Sequence, residues 1–251
     1  MPHRAILLPG AVLPADLAYG GLIEELGPDV EAVAKDLALY ATDEPPPDYT
    51  LDHEVEGVLR EADERGWERF HLVGYSGGGA AGLAFTARHP DRVSSLTLME
   101  PAWAGSWDQS PAEQALWREG ARIRSLPPEQ FMAAFMRLNL RPGVEPPPPP
   151  SGDPPPWMTK RPPGLRALTR AFESYDLDRD ALARFDRPVH YVLGALSNPD
   201  QYQEIATRLA RVFGDFTLEV YDGRHHFDPP HRAEPGRLAR SLRELWDRAD
   251  A

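Results

Sequence analysis

The sequence predicts an α/β fold: a mostly parallel sheet of about six strands flanked by helices, with a helical cap inserted in its second half. Three observations carry this. Short apolar runs alternate with helical patterns from residue 1 to 102. Between Trp103 and Asp186 the alternation stops, leaving only helical patterns and prolines. From Val189 onward it resumes. The expected division is a core of residues 1–102 and 182–251, and a cap of residues 103–181 with a proline-rich loop.

Ala5-Ile6-Leu7-Leu8 is apolar on both faces, as a strand covered on both sides must be. Asp16 to Leu26 reads as a helix with Asp16 as N-cap and Gly27-Pro28 as its stop. Val30–Ala34 alternates like a strand. A helix follows from Thr50 to about Arg65, with Leu51, Val55, Val58, Leu59 and Ala62 on one face. Phe70–Tyr75 is a strand, Gly78–His89 a helix of small residues, and Val93–Met99 the next strand, ending at Glu100-Pro101.

In the inserted region, Pro111–Arg124 and Pro128–Leu140 read as helices, and a third spans Leu165–Tyr175. Pro142–Pro163, with five consecutive prolines at Pro146–Pro150, reads as extended chain without regular structure. Val189–Leu193 and Phe216–Tyr221 are strands separated by a helix over Gln201–Phe213, and Pro235–Ala249 is a closing helix.

Composition removes several function classes. The net charge of −12 gives a nucleic-acid role no electrostatic support. The absence of cysteine excludes disulfides, thiolate metal sites and a cysteine nucleophile. No apolar stretch approaches membrane-spanning length, and the first apolar run is too short for a signal peptide. The expectation is a soluble cytoplasmic protein, monomer or homodimer, with no membrane or nucleic-acid partner and no metal or organic cofactor.

The chemistry is concentrated in Gly74-Tyr75-Ser76-Gly77-Gly78. A strand that turns sharply at Gly-x-Ser-x-Gly into a helix is a nucleophile elbow, with Ser76 at its apex. A serine hydroxyl needs a base, and the base needs an acceptor on its far nitrogen. The base is sought after the last strand, in Gly223-Arg224-His225-His226; His226 is preferred over His225, with His231 a surface or supporting residue. His3, His53, His71, His89 and His190 read as ordinary, partly exposed histidines. For the acid, Glu100 directly ends a strand that should adjoin the elbow strand, whereas Asp200 begins a helix and reads as an N-cap. Glu100 is therefore preferred, with Asp200 the alternative. Oxyanion donors are expected at the Gly77 N–H and at Ala11 or Gly10 in the loop after the first strand. Of the aromatic residues in the insertion, Trp103 at the pocket mouth and Trp157 among prolines are expected to touch substrate. Trp107, Trp117, Phe131, Phe135 and Met158 are expected to form cap core.

These features resemble the α/β-hydrolase superfamily over nearly the whole chain: Leu8-Pro9-Gly10-Ala11, the elbow, His89-Pro90-Asp91-Arg92-Val93, and the His226 turn. The usual first antiparallel hairpin is missing, and Asn198 stands near where the commoner acid would be. Met99-Glu100 is similar to haloalkane dehalogenases and zearalenone-type lactonases that carry their acid there, and Gly194–Pro199 is similar to those lactonases. Dehalogenases and epoxide hydrolases use an Asp nucleophile, so Ser76 disfavours those activities. The resemblance implies a serine hydrolase acting on a small hydrophobic ester or lactone. The same triad would serve a thioesterase, an acyltransferase or a carbon–carbon hydrolase, and the fold could also serve as a non-catalytic binder of a small molecule.

Overall fold

The computed structural model describes residues 2–148 and 153–251. Six strands form one sheet: β1 His3–Leu8, β2 Val30–Ala34, β3 Phe70–Tyr75, β4 Val93–Met99, β5 Val189–Gly194 and β6 Phe216–Tyr221. Their order is β2-β1-β3-β4-β5-β6, and every neighbouring pair is parallel. All connections between them are crossovers, so loops that follow successive strands gather along one edge.

The strands alternate between two apolar layers, as a period of two requires. Ala5, Leu7, Val73, Met99 and Val192 face helices α1 (Ala15–Leu26) and α10 (Pro235–Asp250). Ile6, Leu8, Leu72, Leu96, Leu98 and Tyr191 face the other layer, with α2 (Leu51–Glu64), α3 (Gly77–Arg88) and α8 (Glu204–Leu209). In α3 the small residues Gly78 to Ala81 are all buried, which lets the helix axis approach the sheet.

The insertion forms α4 (Pro111–Ile123), α5 (Pro128–Leu138) and α6 (Arg161–Ser174). Its apolar residues Ile123, Phe131, Leu165, Leu168 and Phe172 belong to the same hydrophobic cluster as the sheet face beneath them. Two short helices, α7 (Arg179–Ala183) and α9 (Pro230–Ala233), lie outside the sequence expectation.

Several local expectations change. Asp16 does not cap α1; the Ala15 N–H donates instead to Asp36 Oδ1 at 2.8 Å, a partner remote in sequence. The helix α6 begins at Arg161, not Leu165, and takes Pro162 and Pro163 into its first turn, where a missing N–H costs nothing. Part of the proline-rich stretch is therefore helical, while residues 149–152, including the end of the five-proline run, lie outside the described residues. The helix expected over Gln201–Phe213 opens with a π-type turn over Pro199–Gln203, capped by Asn198, whose side chain accepts from Asp200 N–H.

Candidate active site

The register of β3 on β4 pairs Tyr75 with Met99, so Ser76 and Glu100 emerge side by side just past the sheet. Both have left-handed backbones, φ 53° at Ser76 and 46° at Glu100, which side-chain-bearing residues adopt only under constraint. The constraint at Ser76 comes from three backbone bonds: Ser76 N–H to Met99 O at 3.0 Å, Gly78 N–H to Pro9 O at 3.0 Å, and Ala102 N–H to Ser76 O at 2.9 Å. A Cβ at Gly74 would lie 2.4 Å from Gly78 O, and one at Gly78 would lie 2.3 Å from Leu8 O, so the turn closes only with glycine at both positions.

The loop after β6 brings His226 over this turn. Its Nε2 accepts from Ser76 Oγ at 3.1 Å, and its Nδ1 donates to Glu100 Oε2 at 2.9 Å. The second oxygen of Glu100, Oε1, accepts from Gly194 N–H at 2.7 Å, so both carboxylate oxygens are engaged. The three side chains are buried: Ser76 is 8% exposed, Glu100 4% and His226 2%. This is the geometry by which a serine hydroxyl proton can pass to an imidazole whose tautomer is fixed by a carboxylate. His226 is further held by its neighbours. Tyr202 stacks on its ring, and the Tyr75 hydroxyl donates to its carbonyl.

Asp200 is exposed and lies in the capped turn after Asn198, with no bond to His226. His225 accepts from Phe227 N–H at 3.2 Å and Asp228 N–H at 3.1 Å, which shapes the loop rather than reaching Ser76. His231 is not a surface residue. It is buried against Tyr19 and Tyr75, and burial pushes its imidazole down to about 3. His71 and His190 are also buried rather than partly exposed, because they point from β3 and β5 under α10 and beside Glu219.

The Gly77 N–H opens α3, where the helix dipole favours negative charge. Ala11 lies against it: a Cβ at Gly77 would be 3.7 Å from the Ala11 Cβ. Among the described residues neither of these two amides donates to a protein acceptor. The loop of Ala11 is fixed by the Tyr40 hydroxyl, which donates to Ala11 O at 2.7 Å. Arg161 lies 4.0 Å over the Tyr40 ring and holds it from the cap side.

A narrow cavity of about 60 Å³ opens beside Ser76, walled by Trp117, Ile123, Phe131, Phe135 and Phe172 of the inserted helices. Trp117, Phe131 and Phe135, expected as cap core, thus line it. Trp103 and Trp157, expected at the pocket, do not. Trp103 is buried behind the wall, stacked on Phe172 at 5.5 Å, and Trp157 sits beside Arg161 at the start of α6. Helical periodicity identified the apolar faces of α4 and α5 but could not show that a gap is left between them. Four polar side chains of the lining bond within the protein, while the buried Trp117 indole N–H has no partner among the described residues. Thr169 donates to Leu165 O at 2.9 Å, Gln201 to Ala102 O at 2.9 Å, Asn139 to Phe135 O at 2.7 Å, and Arg124 pairs with Glu173.

A buried ion pair ties the insertion to the core. Arg208 of α8 holds Glu113 of α4 through Nη2–Oε1 at 2.7 Å and Nε–Oε2 at 3.2 Å, and donates to Ala104 O at 3.0 Å and Trp107 O at 2.9 Å. Sequence patterning gave no sign of this pair, since the two residues lie 95 positions apart in different helices.

The family model described as alpha/beta hydrolase fold matches residues 7–227. RutD of Caulobacter vibrioides, named for carbamate hydrolysis, is 39% identical over 54 residues, which are 22% of this chain and 20% of that protein. BODYGUARD 2 of Arabidopsis thaliana, named as a lysophospholipase, is 32% identical over 107 residues, 41% of this chain and 23% of that protein. These matches thus span a quarter or less of the length of the curated relatives. A thermophilic esterase from Thermogutta terrifontis superposes with TM-score 0.72 at 20% identity, over 100% of this chain and 92% of that one. A carboxylesterase of Nitrososphaera gargenis gives TM-score 0.72 at 16% identity, over 99% and 91%. Among the described residues no helix is long and apolar enough to cross a membrane.

Proposed function

The chain belongs to the α/β-hydrolase family, and from that premise we propose that it is a serine hydrolase cleaving an ester or lactone of a small hydrophobic molecule. The observation that carries this reading is the bonded chain Ser76–His226–Glu100, at 3.1 and 2.9 Å, opening onto an apolar cavity. Ser76 Oγ attacks the carbonyl carbon as His226 Nε2 takes its proton. Glu100 accepts the Nδ1–H and stabilises the imidazolium that forms. The Gly77 and Ala11 N–H groups receive the oxyanion. His226 returns the proton to the leaving alkoxide, and a water activated by the same imidazole hydrolyses the acyl-enzyme.

The lining favours a hydrocarbon group on the bound side of the scissile bond. A polar substituent there would lose water and meet few partners, the unbonded Trp117 indole N–H being the exception. The acid after the strand that follows the elbow supports the likeness to zearalenone-type lactonases, so lactones belong in the substrate panel. The local match to RutD adds carbamates.

The test is labelling by a fluorophosphonate and turnover of a panel of p-nitrophenyl esters, lactones, thioesters and carbamates. Labelling and turnover are expected to vanish in Ser76→Ala. Undiminished labelling of that variant would overturn the assignment. A ligand of the panel that binds and survives intact for hours would favour the non-catalytic reading instead.

A further inference from the structure

At the opposite end of the sheet from Ser76, two imidazoles converge on one carboxylate oxygen. His3 at the start of β1 places Nδ1 2.9 Å from Asp250 Oδ2, and His71 of β3 places Nε2 3.3 Å from the same atom. The one ligand atom from each residue lies within 4.8 Å of the others. His71 is 2% exposed and is stacked on Trp246, with ring centroids 4.9 Å apart, so its ring has little freedom to turn.

From this arrangement we infer that His3, His71 and Asp250 form a binding site for a divalent transition-metal ion of the zinc class. Two features of the geometry argue for it. First, zinc lies ~2.0–2.1 Å from nitrogen and oxygen ligands, which sets the edge of its tetrahedron at roughly 3.3 Å. The separations of 2.9 and 3.3 Å are near that edge. Second, each imidazole has its far nitrogen held by an outer partner. Ser95 Oγ lies 2.9 Å from His71 Nδ1, and Asp247 Oδ1 lies 3.1 Å from His3 Nε2. Metal-bound histidines are oriented in this way, with the outer partner fixing the tautomer and raising ligand basicity. In the metal-bound form the His71 proton sits on Nδ1 and faces Ser95, and the His3 proton sits on Nε2 and faces Asp247. The nitrogens directed at Asp250 then carry lone pairs for the ion.

Two histidines and one carboxylate with a fourth position open to water suit zinc better than calcium or magnesium, which take oxygen ligands. Asp250 is half-exposed, so an ion can enter from solvent. Ser76 lies five residues beyond His71 along β3, roughly 16 Å at the rise of a β-strand. The ion therefore has no part in ester chemistry. It fastens the first strand, a central strand and the last turn of α10 to one another.

The experiment uses the full chain carrying no polyhistidine tag, dialysed against chelator and titrated calorimetrically with Zn²⁺. One ion per chain with a micromolar or tighter Kd is expected. The midpoint of thermal unfolding should rise by roughly 5–10 °C at a hundredfold excess over Kd. Titration with Co²⁺ should give the visible absorption of a tetrahedral site. His3→Ala and Asp250→Ala, with far-UV circular dichroism showing that both fold, should lose the ion and the absorption; His89→Ala, remote from the cluster, should keep both. No saturable binding to the wild type, or binding that survives His3→Ala and Asp250→Ala, would leave a hydrogen-bonded network only and overturn the site.

Discussion

The ring of Tyr202 lies flat against that of His226, with centroids 4.6 Å apart and planes 14° from parallel. The Tyr202 hydroxyl donates to Asn139 Oδ1 at 2.5 Å, and Asn139 lines the cavity at the end of α5. One residue thus links the wall of the cavity beside Ser76 to the imidazole that bonds Ser76. Tyr202→Phe keeps the stack and should retain most activity. Tyr202→Ala frees the ring of His226 and should lower kcat by about 10–100-fold, the scale of a misplaced general base, with a smaller change in KM. Steady-state kinetics on one p-nitrophenyl ester decides it; equal loss in both variants would mean that the hydroxyl, not the stack, positions His226.

Glu100 carries two hydrogen bonds with different meanings, one to His226 and one to Gly194 N–H. Glu100→Gln turns one oxygen into a donor and sets it against either the imidazole or the amide. A fall in kcat of about 10⁴ is expected, as for a triad whose acid no longer selects the tautomer. Asp200→Asn should change kcat less than twofold, since Asp200 is exposed and away from His226. The two variants, assayed side by side, separate the candidates for the acid.

Removing Arg208 would leave Glu113 buried without its cation. Burial already pushes the Glu113 carboxyl up, and Arg208 pulls it back. Arg208→Met should cost about 3–5 kcal/mol in urea unfolding, the range for breaking one partner of a buried pair. Pairing it with Glu113→Leu should recover part of that loss. A double variant no more stable than the single one would show that the bonds of Arg208 to Ala104 and Trp107 carbonyls matter more than the ion pair.

The stability of the fold should fall in acid through His231. Its imidazole is held at about 3 by burial first, then by Arg232 and His226, whereas the unfolded chain protonates near the ordinary value of 6.5. Between those two values the unfolded state binds a proton that the folded state refuses. Stability contributed by neutral His231 is therefore complete above pH 6.5 and declines as pH falls toward 3, by up to about 1.4 kcal/mol per pH unit. His231→Gln should reduce the slope of unfolding free energy against pH by one proton in that window. An unchanged slope would reject this role.

Most strands were legible as short apolar runs with glycine or proline close beyond them, and Val30–Ala34 was readable from its alternation between two helices. Ser76 was legible because the turn admits so few residues around it. Glu100 stood out because an acid at the end of an apolar strand has no ordinary structural purpose, and it does lie against His226. What stayed hidden depends on contacts between elements remote in sequence. The Asp36 bond to Ala15, the Arg208–Glu113 pair and the Tyr202 stack each join residues that local patterns treat separately. Helical spacing placed Trp117, Phe131 and Phe135 on apolar faces, but whether such a face meets a neighbour or a gap is decided only by packing. His71 and His231 misled because histidine is usually half-exposed, and nothing in their flanking residues announces burial.

The largely apolar lining of the cavity has a consequence for selectivity. A pocket walled mostly by aromatic and aliphatic side chains measures its guest chiefly by volume and length. Each methylene gained or lost changes the rate by about 10–200-fold. Such a catalyst would be a ruler rather than a lock. It would turn over a graded series of related compounds, and its preference could be moved along that series by trading Phe131 or Phe135 for a smaller side chain.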